Sequence, residues 1–142
     1  MISEFRNNYF FLSNFYKAPV IFDGIRYENN EAAFQAQKCL DPAERKMFSG
    51  MNPSDAKKMG RHIKLRPDWE DVKVDLMSKI VYAKFTQNPY LAAKLLDTKD
   101  EELVEGNTWG DTTWGKVNGE GQNLLGQILM ETREQIKEKV RG

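Results

Sequence analysis

The sequence predicts an α+β fold, a mainly helical single domain over residues 1–142 with a small β-hairpin element. Three observations carry that expectation. Asp23-Gly24 separates the apolar runs Val20-Ile21-Phe22 and Ile25-Arg26-Tyr27, and an Asp-Gly pair tolerates the positive φ angles of a tight hairpin turn. Asp41-Pro42, Asn52-Pro53 and Asn88-Pro89 repeat the grammar of a capped helix start with proline in the first turn. Two later stretches, about Pro67 to Gln87 and about Asn123 to Val140, space apolar residues as helices do. A chain of 142 residues, 40% apolar and 30% charged, can bury roughly two thirds of its unfolded surface as one domain.

The front third is aromatic, with nine of the sixteen aromatic residues before residue 35, and reads as short strands and loops. Asn29 or Asn30 caps a helix through Glu31–Leu40, whose Ala33, Ala36 and Leu40 side suits close packing. Glu44 strengthens the start at Asp41, and Gly60 is placed to end the helix that begins near Pro53. The long middle helix has an apolar stripe of Trp69, Val72, Leu76, Ile80 and Ala83, broadened by Met77 and Val81. The last helix repeats Leu125, Ile128, Leu129, Thr132, Ile136 and Val140. Between them a Gly-rich stretch, Glu105 to Gly121, holds two of the three tryptophans.

Composition excludes several classes. The 21 Lys and Arg balance 21 Asp and Glu, which argues against a wholly basic nucleic-acid binder but leaves room for a local basic patch. Cys39 and His62 are the only residues of their kinds, so one chain holds neither an internal disulfide nor a Cys/His zinc site. A Cys-His nucleophile pair has no local signature. No apolar run approaches the ~20 residues of a membrane span. The start MISEFRNN lacks a basic and apolar leader, so the expected localisation is cytoplasmic, with no membrane partner.

Some residues depart from the scaffold pattern. Glu31, Gln35 and Lys38 fall within roughly 60° of one another on a helix, which describes either a solvated face or a chemical one. Lys84 projects between Ile80 and Met77, inside the apolar stripe, as Lys73 does earlier. Such a lysine ordinarily snorkels to water; one kept in an apolar pocket loses its charge and becomes a nucleophile or base. Lys57, Lys58, Arg61, Lys64 and Arg66 crowd one acid-free segment, whereas Asp97 to Asp111 holds six acids and only Lys99. Each is either a solvated surface or, beside a cleft, a site for phosphate or for a sugar. Trp109-Gly110-Asp111 through Trp114-Gly115 places stacking surfaces beside carboxylates, suited to a base or ribose ring or to covering the core. Gly119-Glu120-Gly121-Gln122-Asn123 then leads into a helix N-terminus, whose free N–H groups can bind an anion. Its glycine spacing is not a dinucleotide or P-loop fingerprint. Pattern alone yields a phosphosugar or nucleotide cleft and no reaction.

Six ordered blocks add a resemblance. They are Phe10-Phe11-Leu12-Ser13-Asn14-Phe15; Glu31-Ala32-Ala33-Phe34-Gln35-Ala36-Gln37-Lys38; Ala83-Lys84-Phe85; Leu103-Val104-Glu105; Trp109-Gly110-Asp111 through Trp114-Gly115; and Gly121-Gln122-Asn123-Leu124-Leu125-Gly126 with Leu129-Met130. Together they closely resemble the YbiA-like, or NADAR, family over about residues 5 to 133. The resemblance implies a compact, mainly helical α+β domain that cleaves N-glycosidic bonds. The implied substrates are phosphoribosylamino-pyrimidine intermediates of riboflavin synthesis, giving ribose 5-phosphate, or ADP-ribose attached to guanine bases, including those of DNA. A non-enzymatic ADP-ribose or nucleotide-binding module is the remaining alternative.

Breaking a C1–N bond builds oxocarbenium character on the ribose, so the reaction implied by the resemblance needs a carboxylate beside C1. Glu31 and Glu105 are the candidates, with Asp111 orienting ribose hydroxyls or water. A lysine can instead attack C1 of the ring-opened sugar and form a Schiff base; Lys84 is the first candidate and Lys38 the second. Trp109 and Trp114 would stack on the base or ribose, and Asn14 and Asn123 would hydrogen-bond the substrate. Arg61 and Lys64 are phosphate candidates. The mechanism calls for no metal and no redox cofactor.

Overall fold

The computed structural model describes residues 1–141; Gly142, the last residue of the expected domain, lies outside them. The chain clusters into two compact units, Asn14–Asn88 and a second of Met1–Ser13 with the chain from Pro89 onward.

The unit Asn14–Asn88 begins with the expected hairpin. Strands β1 (Lys17–Phe22) and β2 (Ile25–Asn29) pair antiparallel, with Val20 opposite Tyr27 and Phe22 opposite Ile25. Asp23 and Gly24 carry φ angles of 49° and 80°, the geometry for which the Asp-Gly pair is suited. Alternation buries Ala18, Val20, Tyr27 and Asn29 on one face.

Four helices follow: α1 (Asn30–Ala36), α2 (Pro42–Lys46), α3 (Pro53–Met59) and α4 (Trp69–Gln87). Asn29, Asp41 and Asn52 cap the first three through their side chains, as local sequence predicts. Helix α1 packs against the hairpin, α3 and α4.

Helix α1 is shorter than expected, and Leu40 is exposed rather than packed. The carbonyls beyond its end find other donors. Arg66 donates its backbone N–H to Lys38 O (3.0 Å) and Nη1 to Gln37 O (3.3 Å), while Arg45 Nε donates to Cys39 O (2.8 Å). With those acceptors satisfied from a distance, nothing requires another helical turn.

The buried side of α4 is Trp69, Met77, Ile80, Val81, Lys84 and Phe85, whereas Val72, Leu76 and Ala83 are only half-buried. The stripe is thus rotated from the expected one, and Lys84 lies at its centre. Two amides at the end of α4 fasten it to the hairpin. Gln87 accepts from Ile21 N (2.7 Å) and donates to Ile21 O (2.8 Å); Asn88 donates to Pro19 O (2.9 Å) and Lys84 O (2.8 Å).

The second unit holds a short 3-10 helix (Asn7–Leu12), α5 (Pro89–Asp97) and α6 (Leu124–Arg141). Leu91 and Leu95 of α5 and Leu125, Ile128, Leu129 and Ile136 of α6 are buried, and the two helices pack together. Val140, expected in the stripe, is exposed in the last turn. Ile2 pairs with the chain at Leu103, its N–H bonding Glu102 O and its carbonyl accepting from Val104 N. No helix among the described residues is long and apolar enough to cross a membrane.

Candidate functional site

In the unit Asn14–Asn88, α1 presents the polar face. Asn29 Oδ1 accepts from Ala32 N (2.7 Å), which starts the helix so that Glu31 lies in its first turn. The Glu31 backbone N–H donates to Asn14 O (3.1 Å). Four residues on, Gln35 Nε2 donates to Glu31 Oε2 at 2.7 Å. Lys38, just beyond the helix, donates Nζ to Gly60 O (3.3 Å) and stands 5.9 Å from the centre of a Trp69 ring. Burial pulls the Lys38 pKa below the ordinary lysine value; the negative charge of Glu31 opposes that shift and the positive charge of Arg61 adds to it. With Gln35 buried and Glu31 and Lys38 half-buried, the face is not the solvated one that spacing alone allowed.

Lys84 and Lys73 separate on the same helix. Lys73 pairs with Glu70 at 2.8 Å at the surface. Lys84 is 1% exposed, with Nζ 5.5 Å from the centre of the Tyr16 ring and 5.1 Å from that of Phe85. It does not snorkel. Burial pushes its pKa down to about 7, so a large share of the amine is neutral near neutral pH.

Asn14 is buried, and its Nδ2 faces Met77 Sδ at 3.5 Å, a weak acceptor. Arg61 and Lys64 are exposed. Arg66 is occupied structurally: beyond its bonds to residues 37 and 38, it grips Asp68 with Nε (2.7 Å) and Nη2 (3.1 Å). The basic segment is therefore part surface and part clamp.

In the second unit the tryptophan loop is built by side-chain amides and a carboxylate. Asp111 Oδ1 accepts from Thr113 N (3.1 Å) and Trp114 N (2.9 Å). Asn107 brackets Asp111, accepting from its N–H (3.0 Å) and donating to its carbonyl (2.9 Å). Gly115 approaches so closely that a Cβ there would strike Glu105 O. Trp109 stays exposed and Trp114 half-buried. Among the acids nearby, Asp100 and Glu101 pair at the surface with Lys137 and the N-terminal ammonium, while Glu105 and Asp111 are half-buried.

Two expectations change here. The N–H groups entering α6 are not open to an anion: Gln122, Asn123, Leu124 and Leu125 donate to Thr112 O, Gly115 O, Thr113 O and Trp114 O at 2.7, 3.2, 3.1 and 3.0 Å. The loop itself occupies that terminus. Asn123, expected to bind substrate, spends its amide on the backbone, with Oδ1 accepting from Glu105 N (3.0 Å) and Nδ2 donating to Leu103 O (2.9 Å). It holds Glu105 in place. Asn107 went unread because its partner Asp111 is recognisable only once the loop is folded.

In this small α+β fold, buried amides hold the Glu31 carboxylate in one unit and the backbone at Glu105 and Asp111 in the other. The chain belongs to the NADAR domain family, which matches residues 2–137. It is 44% identical over 128 residues to N-glycosidase YbiA of Shigella boydii, covering 87% of this chain and 79% of that one. It is 38% identical over 135 residues to riboflavin biosynthesis protein VVA0006 of Vibrio vulnificus, covering 92% of this chain but 36% of that longer one. The NMR structure of the Escherichia coli protein YbiA superposes with a TM-score of 0.86 at 40% identity, covering all of this chain and 89% of that one.

Proposed function

We propose that this protein is a hydrolase of N-glycosyl bonds that cleaves the C1–N bond of phosphoribosyl N-glycosides and releases ribose 5-phosphate. The relatives named N-glycosidase support the reaction class, and those named for riboflavin biosynthesis support the phosphoribosylamino-pyrimidine substrates that the family resemblance implies. The observation that carries the reading is the Glu31 carboxylate, half-buried and held by Gln35, with Lys38 in electrostatic range of it and Arg61 in range of Lys38. A fixed carboxylate offsets the positive charge that grows on C1 as the base departs, and water then adds to C1. Lys38, Arg61 and Lys64 supply cations for the 5′-phosphate, and Asn14 a hydrogen bond to the sugar or base. Glu105 is the second candidate for the carboxylate role. Within the second unit, Asp111 has committed Oδ1 to the loop, which leaves Oδ2 as its candidate for a ribose hydroxyl, and Trp109 and Trp114 are that unit's stacking candidates.

Lys84 favours a second route, associated with removal of ADP-ribose from guanine. The neutral amine attacks C1 of the ring-opened glycosylamine, the base leaves with its nitrogen, and water hydrolyses the resulting imine to free the sugar and regenerate the lysine. A paired assay separates the two. Purified protein meets the phosphoribosylamino-pyrimidine in one tube and an oligonucleotide bearing ADP-ribosyl-guanine in another. Ribose 5-phosphate from the first alone is the expected result. ADP-ribose from the second alone establishes ADP-ribosyl-guanine as the substrate, and silence in both with folded protein reduces the molecule to a binding module.

A further inference from the structure

We infer that Gln35 is a positioning residue for Glu31, and that Gly60 is the space that lets Gln35 act as one. The inference rests on the proposed role of Glu31 and concerns how that carboxylate is aimed. Gln35 is 7% exposed, and its amide is used unevenly: Nε2 donates to Glu31 Oε2 at 2.7 Å, while Oε1, buried, meets no donor among the described residues. A buried acceptor left unsatisfied is costly, and an apolar side chain of similar size would avoid the cost. The amide is thus turned to serve the acid rather than itself.

The orphaned Oε1 occupies the space that a side chain at Gly60 would need. A Cβ at residue 60 would overlap Oε1 and lie 2.7 Å from Cδ of Gln35. Gly60 has φ −60°, an ordinary helical angle, so backbone conformation does not call for glycine there. The close approach does. The carbonyl of the same residue accepts from Lys38 Nζ, so one point on the chain after α3 fixes both neighbours of Glu31 on the α1 face. Because the far end of a glutamine is flexible, a methyl group at residue 60 moves the amide off Glu31 before it disturbs the fold.

The experiment combines kinetics with a readout that needs no substrate. Gln35→Leu, Gly60→Ala and the double variant are assayed on the phosphoribosyl N-glycoside, and the Gln35 side-chain amide is followed by 15N NMR in wild type, Gly60→Ala and Glu31→Ala. Each single variant should lose kcat on the order of 10²-fold, as a carboxylate misplaced by about 1 Å would, with KM nearly unchanged. The double variant should be no worse than Gln35→Leu alone, because both act through one bond. The Gln35 amide signal in Gly60→Ala should move to where Glu31→Ala puts it. Additive losses, or a Gly60→Ala protein with wild-type kcat and an unmoved Gln35 signal, would overturn the inference. Should Gln35→Leu fail to fold, Gly60→Ala decides alone. Should the wild type cleave neither substrate, the proposed function falls, and the NMR comparison still decides whether Gly60 holds Gln35 on Glu31.

Discussion

The polar face of α1 and the tryptophan loop hold their candidate groups in opposite ways. On α1, side chain meets side chain, Gln35 on Glu31, and Lys38 just beyond the helix is tethered to a carbonyl at 3.3 Å and stands over the Trp69 ring. In the loop, side chain meets backbone: Asn107, Asn123 and Asp111 together satisfy peptide groups at residues 103, 105, 111, 113 and 114. The first arrangement leaves the chemistry adjustable and costs little fold stability when altered. The second makes the loop part of the fold, so its amides report on stability before they report on activity.

Lys84, on α4 and outside both regions, gives the largest expected effect. Lys84→Met should lower cleavage by about 10³-fold or more if the amine is the nucleophile, and borohydride should trap a covalent sugar adduct in wild type only. Its ordinary pKa of 10.5 falls to about 7 on folding. Between those values the unfolded chain holds a proton the folded one lacks, so this group's contribution to stability rises with pH and its penalty is complete below pH 7. Lys84→Met should therefore raise Tm by on the order of 5 °C near pH 6, with the advantage shrinking toward pH 10, as calorimetry across pH would show.

Glu31→Gln should cost on the order of 10² to 10³ in kcat with Tm nearly unchanged, the mark of the adjustable face. The opposite is expected of Asn123→Ala, which strands the Glu105 N–H and the Leu103 carbonyl. About 2–3 kcal/mol of stability should vanish, lowering Tm by roughly 5–10 °C. Asp111 sharpens the contrast. Asp111→Asn keeps an acceptor for Thr113 and Trp114 and should leave Tm within about 1 °C, whereas Asp111→Ala should cost about 1–2 kcal/mol. Loss of cleavage in the asparagine variant would show that the charge itself is used. The smallest effect belongs to the exposed cations: Arg61→Ala or Lys64→Ala should raise KM by roughly threefold, less at high salt.

What was readable in the sequence is what is decided locally. The Asp23-Gly24 turn and the caps at Asn29, Asp41 and Asn52 depend on a few adjacent residues, and all formed as their chemistry dictates. The burial of Lys84 was visible as a position in a stripe, though not as an outcome. Features set by distant partners were unreadable. Helix α1 stops because Arg45 and Arg66 satisfy its trailing carbonyls, and the α6 N-terminus is filled by a loop whose partners lie 8 to 11 residues earlier in the chain. Gly60 looked like a helix terminator; it does end α3, but its lack of a side chain matters for Gln35, on another helix.

The Gln87 amide does more than fasten α4. By bonding both the N–H and the carbonyl of Ile21, it occupies groups that the free edge of a two-stranded sheet would offer to another chain. Ile21 is itself exposed and apolar, the combination that invites strand-to-strand association between molecules. A single glutamine thus serves as a stopper on the edge most prone to sticking. At high concentration Gln87→Leu should therefore scatter more light than wild type.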